Sequence, residues 1–290
     1  MSDSKAAAAA RTEQGARNLL MRIAAAMVLA PLAIAAVYAG GWFWIVPVTA
    51  VAIGLCLEWL TVIHAEHERP AMVCGPVALA TAGVSFGLGW IEVSWLAVAA
   101  GLVAVVLLSR QARRWTAAGF LYAAAALMAS LLVRRDVEMG FVALLFVLAV
   151  VWATDIGGYF AGRGIGGPKL WPTVSPKKTW AGAIGGFTAS LAVALLVAIF
   201  DPHRGDPALA LRTGPLLALA AVLSIAAQFG DLFESAVKRR FGVKDSSHLI
   251  PGHGGLMDRL DGFIAAIVLA AILGVLRGGA DGIARGLMIW

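Results

Sequence analysis

The sequence encodes an all-α fold: a polytopic integral membrane protein of about nine transmembrane helices, with a cytosolic N-terminus. Three observations lead there. Of the 290 residues, 60% are hydrophobic and only 14% are charged, whereas a soluble chain carries about a quarter charged residues. Apolar runs of roughly 18 residues recur, each long enough to cross a ~30 Å hydrocarbon core as a helix. The basic residues are also sorted by side. Of the 23 lysines and arginines, Arg134, Arg135, Arg204, Arg212, Arg277 and Arg285 fall on the face opposite the N-terminus, and the other 17 share its side. Positive charge is retained in the cytosol, so this excess sets the orientation.

Residues 1–22 form a cytosolic tail with an alanine run at 6–10. Spans follow at about 23–39, 42–63, 71–89, 91–108, 116–133, 140–161, 180–200, 214–233 and 262–277. "AIA" at 33–35 resembles a signal-peptidase site, but the next apolar run begins almost at once, which favours a retained first helix. Residues 23–133 make an N-terminal group of membrane helices. Residues 134–290 make a C-terminal catalytic region with cytosolic loops at 162–179 and 234–261. No soluble domain interrupts the series. Cys56 and Cys74 fall inside apolar runs and lack metal or disulfide spacing. The net charge of +6 therefore reflects topology and anionic ligands, not nucleic acid.

Acids inside spans are costly and are usually paired or functional. Glu58, late in the second span, fits either a snorkelling ion pair or support of a site. Asp155 opens "DIGGYFAGRGIGG" near the cytosolic end of the sixth span. The glycines after it suit close approach of a ligand and equally suit tight helix packing. In the following loop, "SPKKTW" sets Lys177 and Lys178 beside the hydroxyls of Ser175 and Thr179, a combination suited to phosphate. Lysines at a cytosolic span end are also ordinary topology signals.

The densest constellation begins at "GDLFESAVKRR". Asp231, Glu234, Ser235 and Lys238 stand at i, i+3, i+4 and i+7, one face of a helix. Arg239 and Arg240 follow. The next stretch, "KDSSHLIPGHGGLMDRLDG", is polar and glycine-rich, then brings Asp258, Arg259 and Asp261 just before another apolar run. Two helix mouths thus deliver carboxylates to the same membrane surface, with lysines and arginines around them. Carboxylates alone suit a divalent cation. Carboxylates with lysine and arginine suit a metal-bound polyphosphate, since Mg²⁺ is typically held by one or two carboxylates plus substrate phosphates.

The stretch Ser235 to Asp261, "SAVKRRFGVKDSSHLIPGHGGLMDRLD", resembles the signature of the phosphatidate cytidylyltransferases, the CDP-diacylglycerol synthases. The positions that carry it are Ser235, Lys238, Arg239, Lys244, Asp245, Pro251, His253, Gly254, Gly255, Asp258, Arg259 and Asp261. The resemblance extends upstream through "GDLFES", "SPKKTW" and "DIGGYFAGRGIG", covering about residues 150–265, and is carried by hydropathy alone in the N-terminal half. Two departures stand out. Ala181 occupies a position usually held by an acid, and Ile156 and Gly158 replace the usual Thr and Ala after Asp155.

The resemblance implies a reaction in which CTP and phosphatidic acid give CDP-diacylglycerol and pyrophosphate, with Mg²⁺, as one ion or two. It implies catalytic roles for Asp231, Asp258, Asp261, Arg259 and Lys238. Ser175, Lys177, Lys178, Ser235, Arg239, Lys244, His253, Gly254 and Gly255 would hold the phosphates of CTP or phosphatidate. Asp231, Asp258 and Asp261, with Asp155, would hold metal. The implied setting is the cytosolic face of the cell (inner) membrane, in a homodimer that meets membrane lipids and no nucleic acid. Three rivals fit less well. A CDP-alcohol phosphatidyltransferase needs an Asp-Gly motif with a following arginine and spaced acids. "DGFIA" at 261–265 lacks the arginine, and "DGIAR" at 281–285 lacks the later acids. A CTP-dependent lipid kinase would release CDP rather than pyrophosphate. A cation-coupled transporter could use Glu58 and Asp155 but needs no basic, glycine-rich cytosolic loop.

Overall fold

The structure is a computed structural model that describes residues 27–28, 30–109, 112–201, 205, 210–247 and 255–290. Among the described residues, eight helices are long and apolar enough to span a membrane. A shorter apolar helix, α1 (Ala30–Ala39), lies within the first expected span, whose start falls outside the described residues. The eight are α2 (Gly41–Val62), α3 (Arg69–Gly87), α4 (Ile91–Leu108), α5 (Arg113–Arg135), α6 (Gly140–Gly164), α7 (Trp180–Ile199), α8 (Thr213–Arg240) and α9 (Met257–Gly278). A short α10 (Ile283–Met288) ends the chain. Because a bilayer core cannot hydrogen-bond exposed backbone, continuous helices are what such apolar runs form.

Three differences from the sequence reading matter. Part of the 162–179 loop is a hairpin, β1 (Lys169–Trp171) and β2 (Ser175–Thr179), antiparallel with Lys169 opposite Thr179 and Trp171 opposite Ser175. The eighth span does not end at 233 but runs as helix to Arg240, and the last begins at Met257 rather than 262. Glu234, Asp258 and Asp261, within the loop expected at 234–261, are therefore helix residues with fixed directions. The C-terminal α10 was not expected.

The core is built from α2, α5, α6, α8 and α9, with Trp59, Phe120, Leu144 and Phe146 among its fully buried side chains. Trp59 is fixed by its indole N–H, which donates to the Trp115 carbonyl at 2.8 Å. Glycines bring α6 and α7 into close contact. A Cβ added at Gly182 would lie 2.9 Å from the Gly158 carbonyl oxygen, and one at Gly157 would lie 2.6 Å from Ala189 Cβ. Of the two uses open to the glycines after Asp155, helix packing thus takes Gly157, while Gly158 serves packing and the cavity described below.

Polar contacts tie the loops together at each end of the bundle. At one end His64 Nε2 lies 3.1 Å from the Phe241 carbonyl oxygen, and the Arg240 guanidinium sits 5.3 Å from the centre of the Trp115 ring. At the other end Arg134 donates to the Tyr38 carbonyl at 3.1 Å. Asp136 there accepts from the Glu138 and Met139 amides, both at 3.1 Å, and pairs with Arg285 at 3.2 Å.

Candidate active site

Three helix ends and the hairpin meet around one cavity of about 660 Å³. From α6 come Asp155, Gly158, Tyr159 and Arg163; from β2, Lys177 and Lys178; from α8, Gln228 and Asp231. The hairpin explains how the lysines arrive. Thr179 ends β2 and caps α7, its Oγ1 accepting from the Gly182 amide at 3.1 Å, the usual use of a threonine at that position. The two lysines are thereby pinned at the mouth of α7, and Lys178 forms an ion pair with Asp231. Ser175 starts the same strand. A volume of this size is ordinary for a ligand site.

The acids separate into two groups. Asp155, Asp231 and Asp261, from α6, α8 and α9, lie within electrostatic range of one another. The Asp261 and Glu234 side chains approach one another from α9 and α8. Two carboxyl groups this close need a proton or a cation between them. Asp258 stands apart and is fully engaged. It pairs with Lys238, and its other oxygen accepts from the Ser246 amide at 3.1 Å, the Ser246 hydroxyl at 3.0 Å and the Gly255 amide at 3.0 Å. Lys238 joins the groups, since it also pairs with Glu234 at 3.0 Å.

The helical face read from Asp231, Glu234, Ser235 and Lys238 is therefore formed, and Lys238 faces Asp258 across two helices. Arg259 is exposed on α9 between Asp258 and Asp261, and Arg239 and Lys244 are exposed where α8 gives way to the loop. Gly255 is buried. His253 and Gly254 lie outside the described residues. Among the described residues, no three acidic, histidine or cysteine side chains stand close enough to close around a metal as placed. Asp155 and Asp231 line the cavity, and Asp261 lies within electrostatic range of both; carboxylate oxygen is the donor type a hard divalent cation takes.

Sequence reasoning left one residue undecided that the structure makes central. Glu58 of α2 is 2% exposed. Its Oε1 accepts from the Ser247 hydroxyl at 2.6 Å and the Leu256 amide at 2.8 Å. Its Oε2 accepts from the Met257 amide at 2.8 Å and the Ser246 hydroxyl at 3.3 Å. No arginine is needed: the carboxylate caps α9 from a distant helix, where the first amides of a helix lack partners. The only available signal was an acid inside an apolar span.

A multi-pass helical membrane protein with acids and lysines around one cavity at its helix mouths is built to handle phosphorylated ligands at a bilayer surface. The chain matches the model of the cytidylyltransferase family over residues 20–276 and belongs to that family. It is 39% identical over 261 residues to the phosphatidate cytidylyltransferase of Brucella suis, covering 89% of this chain and 94% of that protein. The enzyme of Brucella abortus gives the same figures. The phosphatidate cytidylyltransferase of Staphylococcus saprophyticus is 45% identical over 130 residues, covering 45% of this chain and 48% of that one.

Proposed function

We infer that this protein is a phosphatidate cytidylyltransferase: it transfers the cytidylyl group of CTP to phosphatidic acid, giving CDP-diacylglycerol and pyrophosphate. The observation that carries the reading is the cavity. It gathers Asp155, Lys177, Lys178 and Asp231 from three separate segments, in a chain that belongs to the cytidylyltransferase family.

The reaction asks little of a base. A phosphate oxygen of phosphatidic acid attacks the α-phosphorus of CTP, the bond from that phosphorus to the bridging oxygen breaks, and pyrophosphate leaves with the electron pair. The attacking oxygen is already anionic. The difficulty is bringing two anions together, so positioning and charge neutralisation dominate. Lys177 and Lys178 supply fixed positive charge on the hairpin side, and Lys238 and Arg259 supply it on the α8–α9 side. Mg²⁺, held by Asp231 and Asp261 with Asp155, would neutralise phosphate charge and orient the leaving group. Asp258 holds Lys238 and the turn into α9 in place.

The substrate explains the location. Acyl chains must stay in the bilayer while the headgroup meets water-soluble CTP, so the site belongs at a helix mouth. The basic excess on the N-terminal side makes that mouth cytosolic, in the cell (inner) membrane. The proposed assembly is a homodimer in membrane lipid, and the sided basic charge is assigned to topology and anionic ligands, with no nucleic acid partner. The decisive experiment supplies purified protein with phosphatidic acid, Mg²⁺ and CTP labelled at either the α- or the γ-phosphate. Label from the α position should enter lipid and label from the γ position should leave as pyrophosphate. Entry of γ label into lipid would mean a kinase instead.

A further inference from the structure

We propose that Glu58 is a positioning residue for the reaction inferred above, and that it acts by fixing the turn into α9 from the N-terminal half of the molecule. Glu58 lies 198 residues from Leu256 in sequence, yet its two oxygens take four donors from Ser246, Ser247, Leu256 and Met257. No other acid in the molecule is satisfied by groups on both sides of this loop except Asp258, among the described residues, and the two share Ser246. The Ser246 hydroxyl stands 3.3 Å from Glu58 and 3.0 Å from Asp258. A hydroxyl has one proton, so it donates to one carboxylate at a time.

Gly255 completes the arrangement. A Cβ there would lie 1.9 Å from the Ser246 hydroxyl and 2.7 and 2.8 Å from the two Glu58 oxygens. The backbone passes directly over the carboxylate, and only glycine allows that approach. Gly255, the second glycine of the "HGG" motif, is thus explained by Ser246 and Glu58 as much as by a ligand. From Glu58 the contacts run inward through Ser246, Asp258 and Lys238 to Glu234, which lies within electrostatic range of Asp261, as Asp261 does of Asp231 at the cavity. None of the four hydrogen-bond partners of Glu58 lines the cavity. It sets the geometry of Asp258 and Lys238, which hold the groups that do the chemistry.

The test compares wild type with Glu58→Gln, both full-length in detergent micelles. The amide keeps the shape but offers one acceptor and an NH₂ that opposes the donors. Two readouts are taken: hydrogen exchange along the chain, and kinetics in mixed micelles with CTP and phosphatidic acid each varied. Exchange should quicken in 244–260, at the Leu256 and Met257 amides above all, while the other helices keep wild-type protection. The turnover rate should fall by ~10–100-fold, the range for losing a group that orients catalytic residues. Ser247→Ala, which removes one donor, should move both readouts the same way by less, and it serves if Glu58→Gln misfolds.

Unchanged exchange in 244–260 would overturn the proposal. So would faster exchange throughout the bundle, which is the mark of a merely structural acid, or local loosening with full activity. Failure of wild type to make CDP-diacylglycerol would overturn the inferred reaction, and the exchange comparison would still decide whether Glu58 holds the turn.

Discussion

Lys178 and Lys238 each hold an acid, but the two acids are differently placed, and this yields separable outcomes. Asp231 faces the cavity with one lysine partner, whereas Asp258 is spoken for by Lys238, Ser246 and Gly255. Both Asp231→Asn and Asp258→Asn should cut turnover severely in a folded, inserted protein. Only Asp231→Asn should raise the Mg²⁺ concentration needed for half-maximal rate. Titrating Mg²⁺ against rate for each variant checks this, and an equal shift for Asp258→Asn would make it a direct ligand. Arg259 tests the basic residues. If its charge serves only topology, Arg259→Lys should be nearly silent. The planar guanidinium can instead grip a phosphate through two N–H groups, which an ammonium cannot reproduce. We expect Arg259→Lys to lose ~2–4 kcal/mol of transition-state stabilisation, a rate loss of roughly 30- to 1000-fold, read by steady-state kinetics with both substrates varied. At this scale the sequence was legible wherever partners share a helix. The Asp231–Lys238 face follows from spacing alone. The bonds of Glu58 do not, because nothing local marks an acceptor for amides 198 and 199 residues away.

Elements show the same division. The long helices follow from apolar runs, since length and hydropathy are local properties. The β1–β2 hairpin does not, because Ser-Pro-Lys-Lys-Thr has neither apolar alternation nor β-branched enrichment beyond its last residue. It forms because a short antiparallel turn between α6 and α7 pairs the backbone of both arms. The reach of α8 to Lys238 is legible in its i, i+3, i+4, i+7 spacing, whereas hydropathy, which is blind to charged helix ends, places the span limits at 233 and 262 instead of Arg240 and Met257. The contact of α6 with α7 is open to a single change. At Gly182 the nearest atom to a new side chain is backbone, the Gly158 carbonyl oxygen, which cannot swing aside. Gly182→Val should therefore destabilise the protein by about 1–3 kcal/mol through overpacking. It should also displace Thr179, Lys177 and Lys178, so activity should fall at temperatures where the protein is still folded. Fluorescence-detected gel filtration after heating, beside the activity assay, measures the two effects separately.

For the whole molecule, contacts divide the bundle into two ends. One holds His64, Trp115, Lys178, Asp231, Phe241 and Asp258. The other holds Tyr38, Arg134, Asp136 and Arg285. The first end carries the loops rich in lysine and arginine, and the second carries few. Since lysine and arginine near span ends are held in the cytosol, the first end, with the cavity, should face inward. The prediction is made on a background in which Cys56 and Cys74, the chain's two cysteines, are replaced. Single cysteines are then placed at Leu170 in the hairpin and Ser247 beside Glu58. In intact cells both should resist a membrane-impermeant thiol reagent and react once the cells are opened. Asp281→Cys, at the opposite end beside Arg135 and largely exposed, should react from outside and so prove that the reagent reaches the protein. Labelling of position 170 or 247 in intact cells would invert the molecule. The cavity would then open away from cytosolic CTP, and the inferred reaction would fall with the orientation.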